Sequence, residues 1–157
     1  MLTELNQIAL QADGRYLMPS EWQPVQTYLA QMRQRLSAYS KIQAAEADIR
    51  QEVEKRLFLR SPRFLCQDKP DILNICRRDR ENALRYISAM VLTGDMMAYK
   101  QRMLCWLQTV SRSFPFYHES ARQAYEVMAE VLKEKLTPQE FDLVRPFVEL
   151  TGEMLSS

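Results

Sequence analysis

The sequence predicts an all-α protein, on three observations. Apolar residues recur at spacings of three and four along nearly the whole chain, which is the helical period. Only three glycines occur in 157 residues, too few for the turns that strand-rich folds use. No segment alternates apolar with polar residues in the manner of a half-buried strand. Turn and cap signals divide the chain into about seven or eight helices with short connections.

The first helix spans Leu2 to Ala12, with Leu2, Leu5, Ile8, Ala9 and Ala12 as its apolar stripe. Asp13-Gly14 is a turn signal. Ser20 with Gln23 three residues on reads as a capping box for a long second helix. Val25, Tyr28, Leu29, Met32, Leu36 and Tyr39 share one face of it. The pattern continues through Ile42, Ala45, Ile49, Val53, Leu57 and Phe58. That is too long for one ordinary helix, so a break is expected between Ser40 and Ala45. Ser61-Pro62 and Lys69-Pro70 bracket a loop containing Cys66, because the residue before a proline is pushed out of helical geometry. The next helix begins near Asp71 and stops at Gly94, which tolerates the left-handed conformation that ends helices. A helix with Met97, Leu104, Leu107 and Val110 on one face follows, ended by Phe114-Pro115-Phe116. Ser120 to Leu136 is next, with Ala121, Ala124, Tyr125, Met128, Val131 and Leu132 inward. Thr137-Pro138-Gln139-Glu140 has every mark of a helix start: N-cap threonine, proline at the first position, glutamate at the third. The last helix runs to about Leu155, with Pro146 as a candidate kink.

A chain of 157 residues with 46% hydrophobic and 26% charged residues reads as one globular domain with a sizeable core. Its net charge of +1 gives no reason to expect nucleic acid or an anionic membrane as partner. No run of about 18 apolar residues exists to span a membrane. The three cysteines, Cys66, Cys76 and Cys105, are odd in number, and residues 1–10 lack a basic, apolar leader. A reduced, cytoplasmic compartment is therefore expected.

Cys76 to Asp95, C-R-R-D-R-E-N-A-L-R-Y-I-S-A-M-V-L-T-G-D, holds the most chemistry. Ile75, Asp79, Asn82 and Tyr86 lie roughly on one side of this helix, and Cys76, Asp79 and Ala83 on a neighbouring strip. A thiol, a carboxylate one turn later and the guanidinium of Arg78 can serve three parts of one ligand: a covalent bond, an acceptor for N–H groups and a fork for an acid. Spacing alone also fits a bland amphipathic helix, with Cys76 as a small core residue and Arg78 and Asp79 on a solvated face.

Two motifs resemble the phycobiliproteins, the bilin-carrying globin relatives of light-harvesting antennae. Ala12-Asp13-Gly14-Arg15-Tyr16-Leu17-Met18-Pro19 is similar to the family's A-D-x-R-Y-L-x-P stretch. Cys76-Arg77-Arg78-Asp79, then Leu84-Arg85 and Gly94-Asp95, is similar to its C-x-R-D…L-R…G-D attachment helix. The resemblance implies a globin-like fold with an N-terminal helical hairpin: residues 1–31 as the extension and start of the long helix, 32–157 as the core. It implies a thioether from Cys76 to an open-chain tetrapyrrole of phycocyanobilin type, Asp79 accepting from pyrrole N–H groups, and Arg78 on a propionate. It further implies that Asp13 and Arg85 pair across a dimer interface, in a homodimer or with a related subunit, and that the protein works at or near the cytoplasmic face of thylakoids without being an enzyme.

The chain departs from antenna subunits in its short Pro62–Cys76 loop, in Ala89 where an aromatic is usual, and in its near-neutral charge. These departures fit an alternative: an accessory globin without pigment, associated with bilin biosynthesis and its enzymes. Haem is not expected, because the single histidine, His118, matches no proximal position and reads as a surface or capping residue. Catalytic dyads, Cys/His metal spacing and glycine-rich phosphate loops are not apparent. Arg77, Arg78 and Arg80 form a basic cluster for an acidic partner or a solvated edge. Met96, Met97, Met103 and Trp106 read as core or pocket lining, and Cys105 as a buried thiol.

Overall fold

Helical periodicity gives helices at every predicted place. A computed structural model describes residues 1–60 and 70–157, without the side chains of Leu2 and of residues 70–72 and 115–119. The elements are α1 Leu2–Gln11, α2 Pro19–Ala44, α3 Glu46–Arg60, α4 Pro70–Thr93, α5 Met96–Tyr99, α6 Cys105–Ser111, α7 Pro115–Lys135 and α8 Pro138–Leu155. A π-helical turn, Lys100–Leu104, joins α5 to α6. If that stretch is taken as one, the described residues hold seven helices and no strand. Cys66 lies outside the described residues. His118 falls in the first turns of α7, where its side chain is not described.

The core is shared mainly by α3, α4, α7 and α8, with Ile49, Ile87, Val131 and Val148 among its fully buried residues, and takes in Ala38 and Ile42 of α2 and Tyr99 and Leu104. The inward stripe of α7 is buried as expected. Gly152 lets α8 approach α7 closely: a Cβ there would sit 3.2 Å from the Cβ of Tyr125. The break between α2 and α3 falls at Ala45. The predicted start of α8 is present in full. Thr137 Oγ1 accepts from the Glu140 N–H at 3.3 Å, and Glu140 accepts from the Thr137 N–H at 2.8 Å.

Several expectations need correction. Helix α2 starts at Pro19, not at a Ser20 cap, because Glu21 reaches back to the Met18 N–H at 2.7 Å. Pro115 begins α7 instead of ending the previous helix, since a proline at the first helical position forfeits no hydrogen bond. Helix α8 does run to Leu155 as expected, with Pro146 inside it. The periodic face of α2 is core only in part. Leu29 is 62% exposed, and Leu36 and Met32 are also exposed, whereas Val25, Tyr28 and Tyr39 are half-buried and Ile42 is buried, as is Ala38. Phe58 is exposed as well.

The segment after Gly94 differs in part. Leu104 is buried and Leu107 half-buried on the predicted face, and Tyr99, five residues before Leu104, is fully buried too. Five residues is the span of the hydrogen bond that defines a π-helical turn. Met97, Val110 and Cys105 lie at the surface, and Trp106 is 66% exposed.

Candidate functional site

The site is assembled on α4. Its buried face is Ala83, Leu84, Ile87 and Val91, which fixes the rotation of the helix on the core. On that rotation Cys76 and Asp79, one turn apart, are half-buried at the edge of the core. Arg78 projects into solvent, with its Nη2 3.3 Å from Asp79 Oδ1. Ile75, Asn82 and Tyr86 line the exposed side next to Asp79. The structure thus brings Cys76, Arg78 and Asp79 together on one edge of one helix.

The rest of the basic cluster is already engaged. Arg77 Nε lies 2.9 Å from Glu54 and Arg80 3.9 Å from the same carboxylate. Arg50 meets Glu81 at 2.8 Å, and Arg85 Nε meets Glu46 at 2.8 Å. These contacts form a seam between α3 and α4. Arg78 alone of the three clustered arginines points away from it.

The C-terminal end of α4 is held by α2. Arg35 donates to the Val91 carbonyl at 2.7 Å and the Tyr28 hydroxyl to the Leu92 carbonyl at 3.0 Å. These are the carbonyls that a helix leaves without intrahelical partners, and a cation there complements the helix dipole. Gly94 follows with φ +64, and its N–H bonds to Met90 at 2.8 Å. Asp95 then caps α5 by accepting from the Ala98 N–H at 3.0 Å, and accepts from the Thr3 N–H at 2.8 Å. Burial would raise the Asp95 pKa, but the two N–H bonds and the nearby positive charge outweigh it and hold the carboxyl at about 2. The Gly94-Asp95 pair therefore does two jobs: glycine turns the chain, and aspartate ties α1 to α5.

Asp13 is exposed in the turn after α1 and forms no ion pair with Arg85 within the chain. Arg15 shapes that turn by forking onto Glu21 at 2.6 and 2.8 Å. The sequence reading missed Asp95 as a tie between helices, Glu140 as more than a cap, and Tyr86 as an aromatic packed on a buried ring. Only Glu140 left a signal, its charge at an apolar position. Among the described residues no group of three or more His, Cys, Asp or Glu is placed to hold a metal. No described helix is long and apolar enough to cross a membrane.

An all-α body, an N-terminal helical hairpin and a thiol beside a carboxylate on the central helix define the class, a globin-like helical protein with an added hairpin. More narrowly, the chain belongs to the phycobilisome protein family, whose sequence profile matches residues 8–155. It is similar to an allophycocyanin subunit, beta-18, of Aglaothamnion neglectum, with 23% identity over 136 residues, covering 84% of this chain and 80% of that protein. Members of the family are light-harvesting, bilin-binding proteins, structural pigment carriers that assemble as oligomers with related subunits.

Proposed function

We propose that this chain is a bilin-carrying phycobiliprotein with Cys76 as its attachment residue. The observation that carries this reading is the placement of Cys76, Arg78 and Asp79 on one edge of α4, with Arg78 the clustered arginine that no α3 glutamate has claimed. The donor chemistry fits a tetrapyrrole. A thiol can hold it by a thioether, a half-buried carboxylate can accept from pyrrole N–H groups, and an exposed guanidinium can fork onto a propionate. When bound, the bilin supplies the conjugated system that absorbs visible light.

The residues of this chain supply position and charge. Asp79 sits at the border of the core, where a carboxylate favours a cationic neighbour more than it would in water. Packing of Ala83 and Ile87 keeps the edge of α4 at a fixed angle. Arg78 is held near Asp79 and can turn outward, because an exposed pair of this kind is weak.

The same reading assigns residues 1–157 to one domain in the cytoplasm. The exposed apolar face of α1 and α2 meets a second copy or a related subunit, and Asp13 meets Arg85 of that partner. Enzymatic activity has no place in it.

The test is production of the chain together with phycocyanobilin. Wild type should show red absorbance and zinc-enhanced fluorescence on a denaturing gel, both lost in Cys76→Ala. A colourless wild type overturns the attachment reading. For the interface, Asp13→Arg should lower the mass in solution, and adding Arg85→Asp should restore it. An unchanged mass removes the pair from any interface.

A further inference from the structure

We infer that Tyr86 is a positioning residue for the tetrapyrrole, a fixed aromatic platform for the part of the ligand farthest from Cys76. The inference rests on the bilin reading above. Tyr86 lies seven residues after Asp79, two helical turns along the same side of α4, or about 10 Å. It lies ten residues after Cys76, about 15 Å along the axis. An extended conjugated ligand bonded at Cys76 and hydrogen-bonded at Asp79 would continue toward it.

Tyr86 is 36% exposed. Its ring packs on that of Tyr99, with centroids 6.0 Å apart and planes 30° apart. Tyr99 is fully buried. Thr151 Oγ1 donates to the Phe147 carbonyl at 2.6 Å, so the Tyr99 hydroxyl is the donor in its 2.6 Å bond to Thr151. The ring of Phe147 braces Tyr99 from a second direction at 5.6 Å. Turning Tyr99 would leave a buried hydroxyl without a partner, which is costly. Tyr86 therefore rests on a rigid support while part of its surface faces solvent. Offset stacking on such a ring favours a flat pyrrole and restricts its rotation.

The experiment uses two readouts. The first is the emission yield of the covalent adduct in wild type, Tyr86→Leu and Tyr86→Phe. The second is the dissociation constant of free phycocyanobilin from the Cys76→Ser protein, with and without each Tyr86 substitution. Tyr86→Leu should lower emission at least twofold and weaken binding about three- to tenfold. Tyr86→Phe keeps the ring and should stay near wild type on both. A pigmented wild type with unchanged emission and affinity in Tyr86→Leu overturns this inference and leaves the attachment reading standing. A phenylalanine variant as impaired as the leucine one overturns the stacking role. A wild type that takes up no bilin overturns both.

Discussion

Glu140 offers the sharpest test of how α8 is fastened to the rest of the molecule. It is 4% exposed. Its carboxylate accepts from Ser37 Oγ at 2.6 Å, from Lys41 Nζ at 2.8 Å on both oxygens, and from the Thr137 N–H at 2.8 Å. Burial works to raise its pKa; the bonds to Lys41, Ser37 and Thr137 outweigh it and hold the group at about 2. A folded-state pKa below the unfolded value stabilises the fold at pH above the unfolded pKa. That stability is lost as pH falls through the folded pKa. Against an ordinary value of 4.5, that depression is worth about 3 kcal/mol at full weight. The Lys41 end is 43% exposed, so screening brings the figure to about 2 kcal/mol. Glu140→Gln keeps the shape and removes the charge. At pH 7 it should lower stability by about 2 kcal/mol, a fall in Tm of roughly 4–8 °C for a chain of this size. Between about pH 4.5 and pH 2 the gap to wild type should close, with more than half gone by about pH 3. Urea melts of both proteins at each pH measure this. A variant as stable as wild type at neutral pH refutes the lock, and a gap that does not narrow in acid refutes its electrostatic origin.

Gly94→Ala should cost about 2 kcal/mol, because φ is +64 and the new Cβ would meet the Tyr28 ring at 3.1 Å. Gly14→Ala, with φ +72 in open space, should cost about 1 kcal/mol, and equal losses in chemical denaturation would argue against the close approach. Asp95→Ala should cost about 1–2 kcal/mol and speed hydrogen exchange at the Thr3 and Ala98 amides; unchanged exchange at Thr3 would show that α1 is held by something else. Leu29→Glu should leave the urea midpoint of the separated chain nearly unchanged, since Leu29 is exposed, yet lower the mass seen by sedimentation; an unaltered mass would exclude this face from association.

What could be read from the sequence was local. The Thr137 cap needs four consecutive residues, and the placement of Cys76 against Asp79 needs one helical turn; both appear in the structure as expected. The π turn could not be read, because nothing in Lys100–Leu104 distinguishes the π-helical bonding span of five residues from the α-helical span of four until Tyr99 and Leu104 are seen buried together. The pairing of Arg77 and Arg80 with Glu54 could not be read either, since it joins residues of two helices across the undescribed 61–69 segment. Those pairs leave Arg78 as the one of the three clustered arginines that meets no α3 glutamate, which is what the proposed propionate contact uses.

The face of α2 carries a more general point. It carries apolar residues at helical spacing, as α7 does, yet the stripe of α7 is buried within the chain and Leu29 and Leu36 of α2 are not. Periodicity shows which side of a helix avoids water; it does not show which molecule covers that side. In a family that assembles with related subunits, a stripe left bare by its own chain is what an interface needs. The same reasoning applies to Arg85. Its pair with Glu46 is exposed and hence weak, so a carboxylate from another chain can share or replace it at little cost. If Arg85 meets Asp13 of a partner as proposed, the subunit keeps Arg85 paired with Glu46 when alone and exchanges that weak pair on assembly.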